Sequence, residues 1–362
     1  MQSIVFCQKY VPLHPFFVEL KSNLCVEMKK LLFSIAALLL CSLAHSQEAD
    51  GSGRYAEFQL IPRVDFSPYT SLGSGGDGSS GFTFGSSSIY TLLEGAFSDK
   101  ISYTVSNHWL STSPADLYLN TLRTDDINWV DCMYVDFTLG NFDIVVGKDF
   151  ICTGGTEYED WDVDVDDILA SNFWNTFQPY QWGGKVGYTF GNETSTSFWL
   201  QAVTSPYGER PFVSGLFAYS AQMRGEYGCF SNIWSISAIE REKGRYDYVA
   251  YLGNMLSFDK FTYTLDWSNS TGMGDENMLG GNLIRMTAVY KPTEQWEIGL
   301  KGNYYITKLY STGLTQAFNG GLSCHYFPIE NLRIHANLGY DSFESCLCAS
   351  VGATFNLTLF SK

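Results

Sequence analysis

The chain has 362 residues, of which 45% are hydrophobic, 16% aromatic and only 17% charged. Its mean hydropathy is −0.07, and its 34 glycines, 23 tyrosines and 26 phenylalanines favour an all-β protein with many turns. Acidic residues outnumber basic residues by 38 to 22, which gives a formal charge of −16. This balance argues against a nucleic-acid partner, because binding to phosphates needs Lys and Arg.

The first apolar run of the chain has the layout of a secretory signal peptide. Met28, Lys29 and Lys30 precede an apolar run at 31–44, and Ser46 ends a small-x-small motif. The run is too short to span a bilayer, so we expect a signal peptide at 28–46 rather than a buried core helix. Residues 1–27 are interpreted as an over-long start that is not structural, and residues 47–362 as a single domain.

Six cysteines follow the expected signal peptide, and they are Cys132, Cys152, Cys229, Cys324, Cys346 and Cys348. Cys346 and Cys348 would lie on one face of a strand, roughly 7 Å apart, which is too far for an easy disulfide. No pair of cysteines, or of cysteine and histidine, has the spacing of zinc ligands. We therefore expect mostly free thiols that act as small apolar residues, with no metal and no cofactor.

From residue 55 onward, segments of about ten residues alternate apolar and polar side chains, as half-buried strands do. In the segment at 331–342, Leu332 and Ile334 alternate with Arg333 and His335. Sixteen such segments occur, at 55–66, 87–97, 100–110, 128–139, 141–151, 182–190, 196–205, 215–227, 230–241, 245–257, 260–270, 282–292, 295–307, 315–327, 331–342 and 347–360. The pattern predicts an all-β chain whose strands each have one apolar and one polar face.

The connections between these segments alternate between short and long, although two positions expected to be long are short. The short connections include 98–99 and 258–259, whereas long ones occur at 67–86, 111–127 and 152–181. Outer-membrane barrels have short periplasmic turns, long outward loops and an even number of strands. We therefore predict a transmembrane, antiparallel, up-and-down β-barrel of about 16 strands, of the outer-membrane porin type. A large soluble β-protein is the alternative.

A group of motifs between residues 145 and 213 resembles one porin family. The motifs are Val146–Asp149, Gly154-Gly155, Phe173–Asn175, Tyr180–Gly183 and Ser205–Phe212. They are similar to segments of the phosphate-selective porin O/P family, found in Bacteroides-like bacteria. The resemblance implies an outer-membrane channel of 16 strands, which is a homotrimer in the better-known members of that family.

The connection at 152–180 carries seven acidic residues and neither Lys nor Arg. These candidate constriction residues are Glu157, Glu159, Asp160, Asp162, Asp164, Asp166 and Asp167. Leu169, Phe173 and Phe177 recur every four residues, and the acids that precede them favour a helix over 167–177. We expect this third long loop to fold into the barrel, with its apolar side on the wall and its acids toward the water path, where they would favour cations. The alternative is a solvated outer loop.

Asp160, Asp162 and Asp164 have the spacing of the first calcium ligands in an EF-hand loop. The motif does not fit that template, because Val165 occupies the glycine position and Ser171 the position of the final glutamate. We therefore assign no metal site, with a loose surface site for a divalent ion as the alternative.

Six basic residues fall on the polar phase of their strands and are predicted to face the lumen. They are Arg63, Lys185, Arg224, Arg285, Lys301 and Arg333. Acidic residues, among them Glu57, Asp136 and Asp266, fall on the same phase. Such a mixed wall predicts a general diffusion pore, and cross-strand ion pairs that merely line the lumen are the alternative. Lys148 falls on the apolar phase, which predicts an interfacial position.

The chain lacks common catalytic signatures. Only three histidines follow residue 46, and neither G-x-S-x-G nor H-E-x-x-H occurs, so we expect no enzyme.

We expect an outer-membrane porin of a Gram-negative bacterium, which conducts small hydrophilic solutes or ions and contacts outer-membrane lipid and lipopolysaccharide. The alternative is a non-conducting barrel that acts as an adhesin or a structural protein.

Overall fold

The computed structural model describes residues 54–72, 79–84, 87–111, 130–159, 163–173, 179–191, 195–208, 212–271, 281–309 and 313–361. These ranges belong to one compact unit, Gly53–Lys362. The expected start region at 1–27 and the expected signal peptide at 28–46 lie outside the described residues. Within the described ranges, no helix is long and apolar enough to cross a membrane.

The described residues form one antiparallel sheet of 18 strands. The strands are β1 (Tyr55–Ser71), β2 (Ser80–Thr83), β3 (Ser88–Ser98), β4 (Ile101–Ser111), β5 (Cys132–Leu139), β6 (Phe142–Phe150), β7 (Tyr180–Thr189), β8 (Ser197–Thr204), β9 (Phe217–Tyr227), β10 (Phe230–Glu242), β11 (Arg245–Phe258), β12 (Phe261–Thr271), β13 (Asn282–Thr293), β14 (Trp296–Leu309), β15 (Gly313–Ile329), β16 (Leu332–Asp341), β17 (Cys346–Phe355) and β18 (Leu357–Ser361). Two 3₁₀ helices, Thr156–Glu159 and Val163–Leu169, lie between β6 and β7.

The sheet closes into a barrel because β1 pairs along both edges. One edge of β1 pairs with β3 and, further along, with β2. The other edge pairs with β17 and β18. Since β2 continues β3 and β18 continues β17, the 18 strands count as 16 barrel strands, 18 less two. In the described part of the chain, the prediction of an antiparallel, up-and-down barrel of about 16 strands is confirmed.

The barrel is apolar outside and polar inside. Leu300, Leu322 and Leu338 are direct partners on β14, β15 and β16, and their exposed fractions are 56%, 54% and 56%. Ser323 and Asn337, one position further along, pair with each other and are only 5% and 4% exposed. Because successive side chains of a strand point to opposite faces, the leucines face outward and the polar residues inward. This inverts the usual distribution of a water-soluble protein and is the distribution of a membrane barrel.

The two ends of the barrel differ in their connections. At the short-turn end, which includes the turns 140–141 and 228–229, Gly140 and Gly228 both have a φ of 67°. Glycine adopts this left-handed conformation without steric cost, which allows the strands to reverse within two residues. At the opposite, long-loop end lies the connection from β6 to β7, which carries the predicted constriction residues.

Candidate functional site: a loop along the inner wall

The connection from β6 to β7 is here called the inner loop (residues 151–179). Its described residues, 151–159, 163–173 and 179, run along the inner wall of the barrel. Its first residues bond in turn to inward side chains of strands that lie progressively further around the barrel. These bonds run from Cys152 N to Gln201 Oε1 on β8 (2.6 Å), from Gly154 N to Ser235 Oγ on β10 (3.1 Å) and from Thr156 N to Asp266 Oδ2 on β12 (3.0 Å). The strand order therefore gives the course of the inner loop inside the barrel.

Gly155 allows the inner loop to approach the wall closely. A Cβ atom at this position would lie 2.4 Å from Cε1 of Tyr251 and 3.0 Å from Cα of Gly253. Tyr251 is fully buried and packs with Phe173 of the same loop, at a ring-centroid distance of 5.3 Å. The backbone of the inner loop thus rests directly on β11, where only glycine fits.

The first charged anchor of the inner loop is Glu157, whose side chain is fully buried. Its Oε1 lies 3.3 Å from Nε of Arg285 on β13. Ser171, further along the same loop, donates to this carboxylate from its backbone N (2.8 Å) and its Oγ (2.5 Å). The carboxylate therefore holds two parts of the inner loop together and ties both to the wall.

The second charged anchor is Asp166, which is 3% exposed. Nζ of Lys301 on β14 lies 2.5 Å from Oδ2 of Asp166, and Nε2 of His325 on β15 lies 3.0 Å from Oδ1. Burial by itself would raise the pKa of Asp166, but the hydrogen bond with His325 and the charge of Lys301 hold that pKa well below its ordinary range. Asp166 is therefore an ionised carboxylate in a buried ion pair.

Three further bonds satisfy backbone groups of the inner loop, which buried irregular backbone requires. They run from Asn337 Nδ2 to Val165 O (2.8 Å), from Asn303 Nδ2 to Leu169 O (3.0 Å) and from Asn172 N to Tyr305 OH (2.8 Å). The side chain of Leu169 is fully buried and that of Val165 is 2% exposed. The apolar side chains and the polar backbone of this stretch are thus both accommodated by β14 and β16.

Two sequence predictions for the inner loop are wrong. Glu157 and Asp166 face the wall instead of the water path, because Arg285 and Lys301 offer partners there and a buried charge is stable only when paired. The helix predicted over 167–177 is not present at 167–173, where the second 3₁₀ helix ends at Leu169. Residues 174–178 lie outside the described part of the chain.

The other predicted constriction residues are described to different extents. Asp167 is half-buried. Glu159 and Asp164 lie on the two 3₁₀ helices, where only their backbone is described, and Asp160 and Asp162 lie outside the described residues. In the described part of the chain, no group of three or more metal-binding side chains occurs.

The predicted basic residues divide into two groups. Arg285 and Lys301 hold the inner loop. The other four lie within the wall: Arg63 donates to Ser88 Oγ (3.1 Å), Lys185 pairs with Asp149 (2.5 Å), Arg224 donates to Gln222 Oε1 (2.6 Å), and Arg333 is half-buried on β16. Arg63 and Lys185 therefore bond to neighbouring strands of the wall. For these two residues the structure supports the alternative stated above, cross-strand bonds that line the lumen.

The interfacial position predicted for Lys148 is wrong, because its side chain is fully buried and Nζ donates to Val130 O at 2.5 Å. His325, Asn303 and Asn337 also hold the inner loop, and no sequence motif identifies them. All three lie on the inward phase of their strands, which was the only signal available, since their loop partners are more than a hundred positions away in the chain.

Comparisons with known proteins give a fold but no family. No family model and no curated protein matches the chain. Among solved structures, the anion-selective porin from Comamonas acidovorans has a TM-score of 0.57 at 12% identity and covers 83% of this chain and 100% of that one. In-vitro folded OmpT of Vibrio cholerae has a TM-score of 0.55 at 11% identity, with coverages of 86% and 99%. For a mutant of the Rh. blastica porin the TM-score is 0.51 at 11% identity, with coverages of 83% and 100%. The chain therefore has the fold of outer-membrane porins, a closed antiparallel barrel of sixteen strands.

Proposed function

We propose that the chain is an outer-membrane porin, a passive channel for small hydrophilic solutes or ions. The inversion of polarity across the barrel wall carries this proposal. Outward leucines such as Leu322 are more than half exposed, whereas the inward neighbour Ser323 is buried and polar. The apolar outer surface of such a barrel is stable in contact with lipid, and its polar inner surface is stable in contact with water.

The inner loop gives the channel its narrow part. The two charged anchors, at Glu157 and Asp166, both bind inward residues of the wall. The segment between them is therefore held within the barrel at both ends. A loop held against the inner wall takes up part of the lumen and reduces the cross-section available to solutes, which supports a size limit at this position.

The anchors themselves contribute little to ion selectivity. The carboxylates of Glu157 and Asp166 pair with Arg285 and Lys301, and Asp266 lies near Arg285 as well. Three carboxylates and two cations leave one net negative charge. We propose that a weak preference for cations comes instead from the acids between the anchors, at positions 159–164. These are Glu159, Asp160, Asp162 and Asp164.

The proposed membrane and assembly rest on the sequence resemblance and on one structurally similar protein. The resemblance of residues 145–213 to the phosphate-selective porin O/P family supports a channel in the outer membrane of a Gram-negative bacterium, in contact with lipid and lipopolysaccharide. A structurally similar OmpT of Vibrio cholerae is described in a trimer form, with a TM-score of 0.52 at 13% identity. We propose a homotrimer on this basis. We also propose that the chain has no catalytic role, since the sequence carries neither G-x-S-x-G nor H-E-x-x-H.

Conductance in planar lipid bilayers tests the channel. We expect discrete conductance steps when the purified chain is added, because each inserted barrel opens a water-filled path. A non-conducting adhesin or structural barrel would insert without steps, and that result would reject the porin.

Reversal potentials in a KCl gradient test the selectivity separately. We expect a modest preference for potassium over chloride, reduced in the variant Asp160→Asn/Asp162→Asn/Asp164→Asn. The matched control is Glu242→Gln, which removes one acid from an exposed ion pair at the long-loop end. A preference for chloride in the unmodified chain would contradict the assignment of selectivity to these acids.

A further inference from the structure

Cys346 and Cys348 form a close pair of thiols on β17. Their Sγ atoms are 3.4 Å apart, although the residues are two positions apart on a strand. Both thiols are free and half-buried. The side chains lean toward each other, so the sulfur atoms are much closer than the spacing of alternate residues, about 6.7 Å, would suggest.

The pair lies at the long-loop end and faces inward. Leu347 and Val351 are 42% and 56% exposed on the outer phase of β17, whereas Ser350, on the phase of the two cysteines, is 3% exposed. Cys346 is the first residue of β17 and follows the turn at 342–345. A solute that enters the barrel from the long-loop end would therefore meet these thiols early.

The ladder on both sides of β17 keeps the two sulfur atoms from bonding to each other. Cys346 pairs with Ser71 on β1 and with Asp341 on β16, and Cys348 pairs with Tyr69 and Gly339. A disulfide needs Cβ atoms about 3.8 Å apart, far less than alternate positions of a paired strand allow. The arrangement suits a single atom that bridges the two sulfurs.

The sulfur separation fits such a bridging atom. With bonds of about 2.3 Å to each sulfur, a separation of 3.4 Å corresponds to an S–M–S angle of about 95°. Thiolates are soft ligands, which select soft metal ions over Mg²⁺ or Ca²⁺. The carboxylate of neighbouring Asp341 already accepts hydrogen bonds from Phe343 N (2.7 Å) and Glu344 N (3.2 Å). Two sulfur atoms are therefore the protein's ligands, and water or the ion's own substituent completes the coordination.

We propose that Cys346 and Cys348 form a dithiol site that captures soft, thiophilic metal or metalloid ions at the long-loop end of the lumen. On binding, each thiol loses its proton to water and each sulfur forms one bond to the ion. No electron is transferred, so the step needs no oxidant or reductant.

Phenylarsine oxide is a suitable probe, because its trivalent arsenic forms two bonds to a pair of adjacent thiols and releases one water molecule. The whole chain, folded in detergent micelles, is treated with the probe and analysed by mass spectrometry. We expect one tightly bound equivalent that withstands mercaptoethanol and is removed by dimercaptopropanol. Cys346→Ser and Cys348→Ser should each lose it, whereas Cys324→Ser, which removes a half-buried thiol from the outward phase of β15, should keep it.

A second measurement does not depend on the folding of any variant. In the unmodified chain, bound phenylarsine should protect both Cys346 and Cys348 from alkylation by N-ethylmaleimide at least tenfold. Unprotected thiols, or an equivalent that persists in either serine variant, would overturn the proposal. So would a disulfide between the two cysteines after mild oxidation with diamide, because it would show that the backbone does not hold the sulfurs apart. Binding is read by mass, so the result is independent of whether the barrel conducts.

Discussion

Asp166 and Lys301 form a buried ion pair between residues 135 positions apart in the chain, with Lys301 Nζ 2.5 Å from Asp166 Oδ2. The pair joins the inner loop to β14. His325 shares the same carboxylate from β15. This carboxylate therefore joins the middle of the inner loop to two neighbouring strands, beside the bonds of Asn303 and Asn337 to the loop backbone.

Replacing Lys301 by methionine should release the inner loop. Removal of one partner leaves the buried carboxylate of Asp166 with His325 alone, at a cost of about 3 kcal/mol. We expect faster cleavage by endoproteinase Glu-C after Glu159, which lies between the two charged anchors, measured by mass spectrometry of the fragments. Glu242→Gln, which breaks an exposed ion pair with Arg245, should leave this cleavage unchanged. Equal cleavage in Lys301→Met and the unmodified chain would show that the ion pair does not hold the loop.

The contribution of Asp166 should depend on pH in one direction. The pKa of Asp166 is lowered in the folded chain, so its stabilising effect is complete above the unfolded pKa of about 3.9 and is lost as the pH falls toward the folded pKa. The thermal unfolding temperature of Asp166→Asn should therefore lie below that of the unmodified chain from pH 7 to about pH 5 and approach it below about pH 4. A difference that grows on acidification would contradict the direction of the shift.

Gly155→Val should lift the first part of the inner loop from the wall. The added Cβ would lie 2.4 Å from the ring of buried Tyr251, and overpacking of this kind costs about 1–3 kcal/mol. Hydrogen exchange at Gly154 N and Thr156 N, which donate to Ser235 and Asp266, should become several-fold faster.

Gly191→Val provides the control for steric crowding. The nearest atom to a Cβ on Gly191 is Nδ2 of Asn141, at 3.4 Å, so a side chain has room there. Exchange at Gly154 N and Thr156 N should be unaffected by this variant. If Gly155→Val also leaves their exchange unchanged, the inner loop does not depend on the close approach to β11.

Leu322→Arg should impair folding into lipid. Leu322 is 54% exposed in the middle of a row with Leu300 and Leu338, and a charge on the lipid face of a barrel costs about 2–4 kcal/mol near the bilayer centre. Denaturant titration of barrels folded in lipid vesicles measures this loss, and Leu322→Ala controls for the lost leucine. Equal stability of the two variants would place this row outside the membrane.

The sequence by itself determined the barrel. Leu322 and Ser323 show why: in a strand, alternation of apolar and polar residues specifies which face each side chain occupies, and this is a local property. This alternation is repeated over sixteen segments, an even number of strands, and it was sufficient to predict the closed sheet. It also assigned Arg285 and Lys301 to the inner face without any knowledge of their partners.

Only the tertiary structure decided what the inward residues bind. Acidic residues of a loop can face water or a basic wall, and the choice depends on which cations lie opposite once the barrel has closed. The partners of Asp166 are Lys301 and His325, 135 and 159 positions away, and no local pattern relates such distant residues. The same holds within β17, where the sequence indicated that Cys346 and Cys348 share a face, while side-chain rotamers brought their sulfur atoms to 3.4 Å.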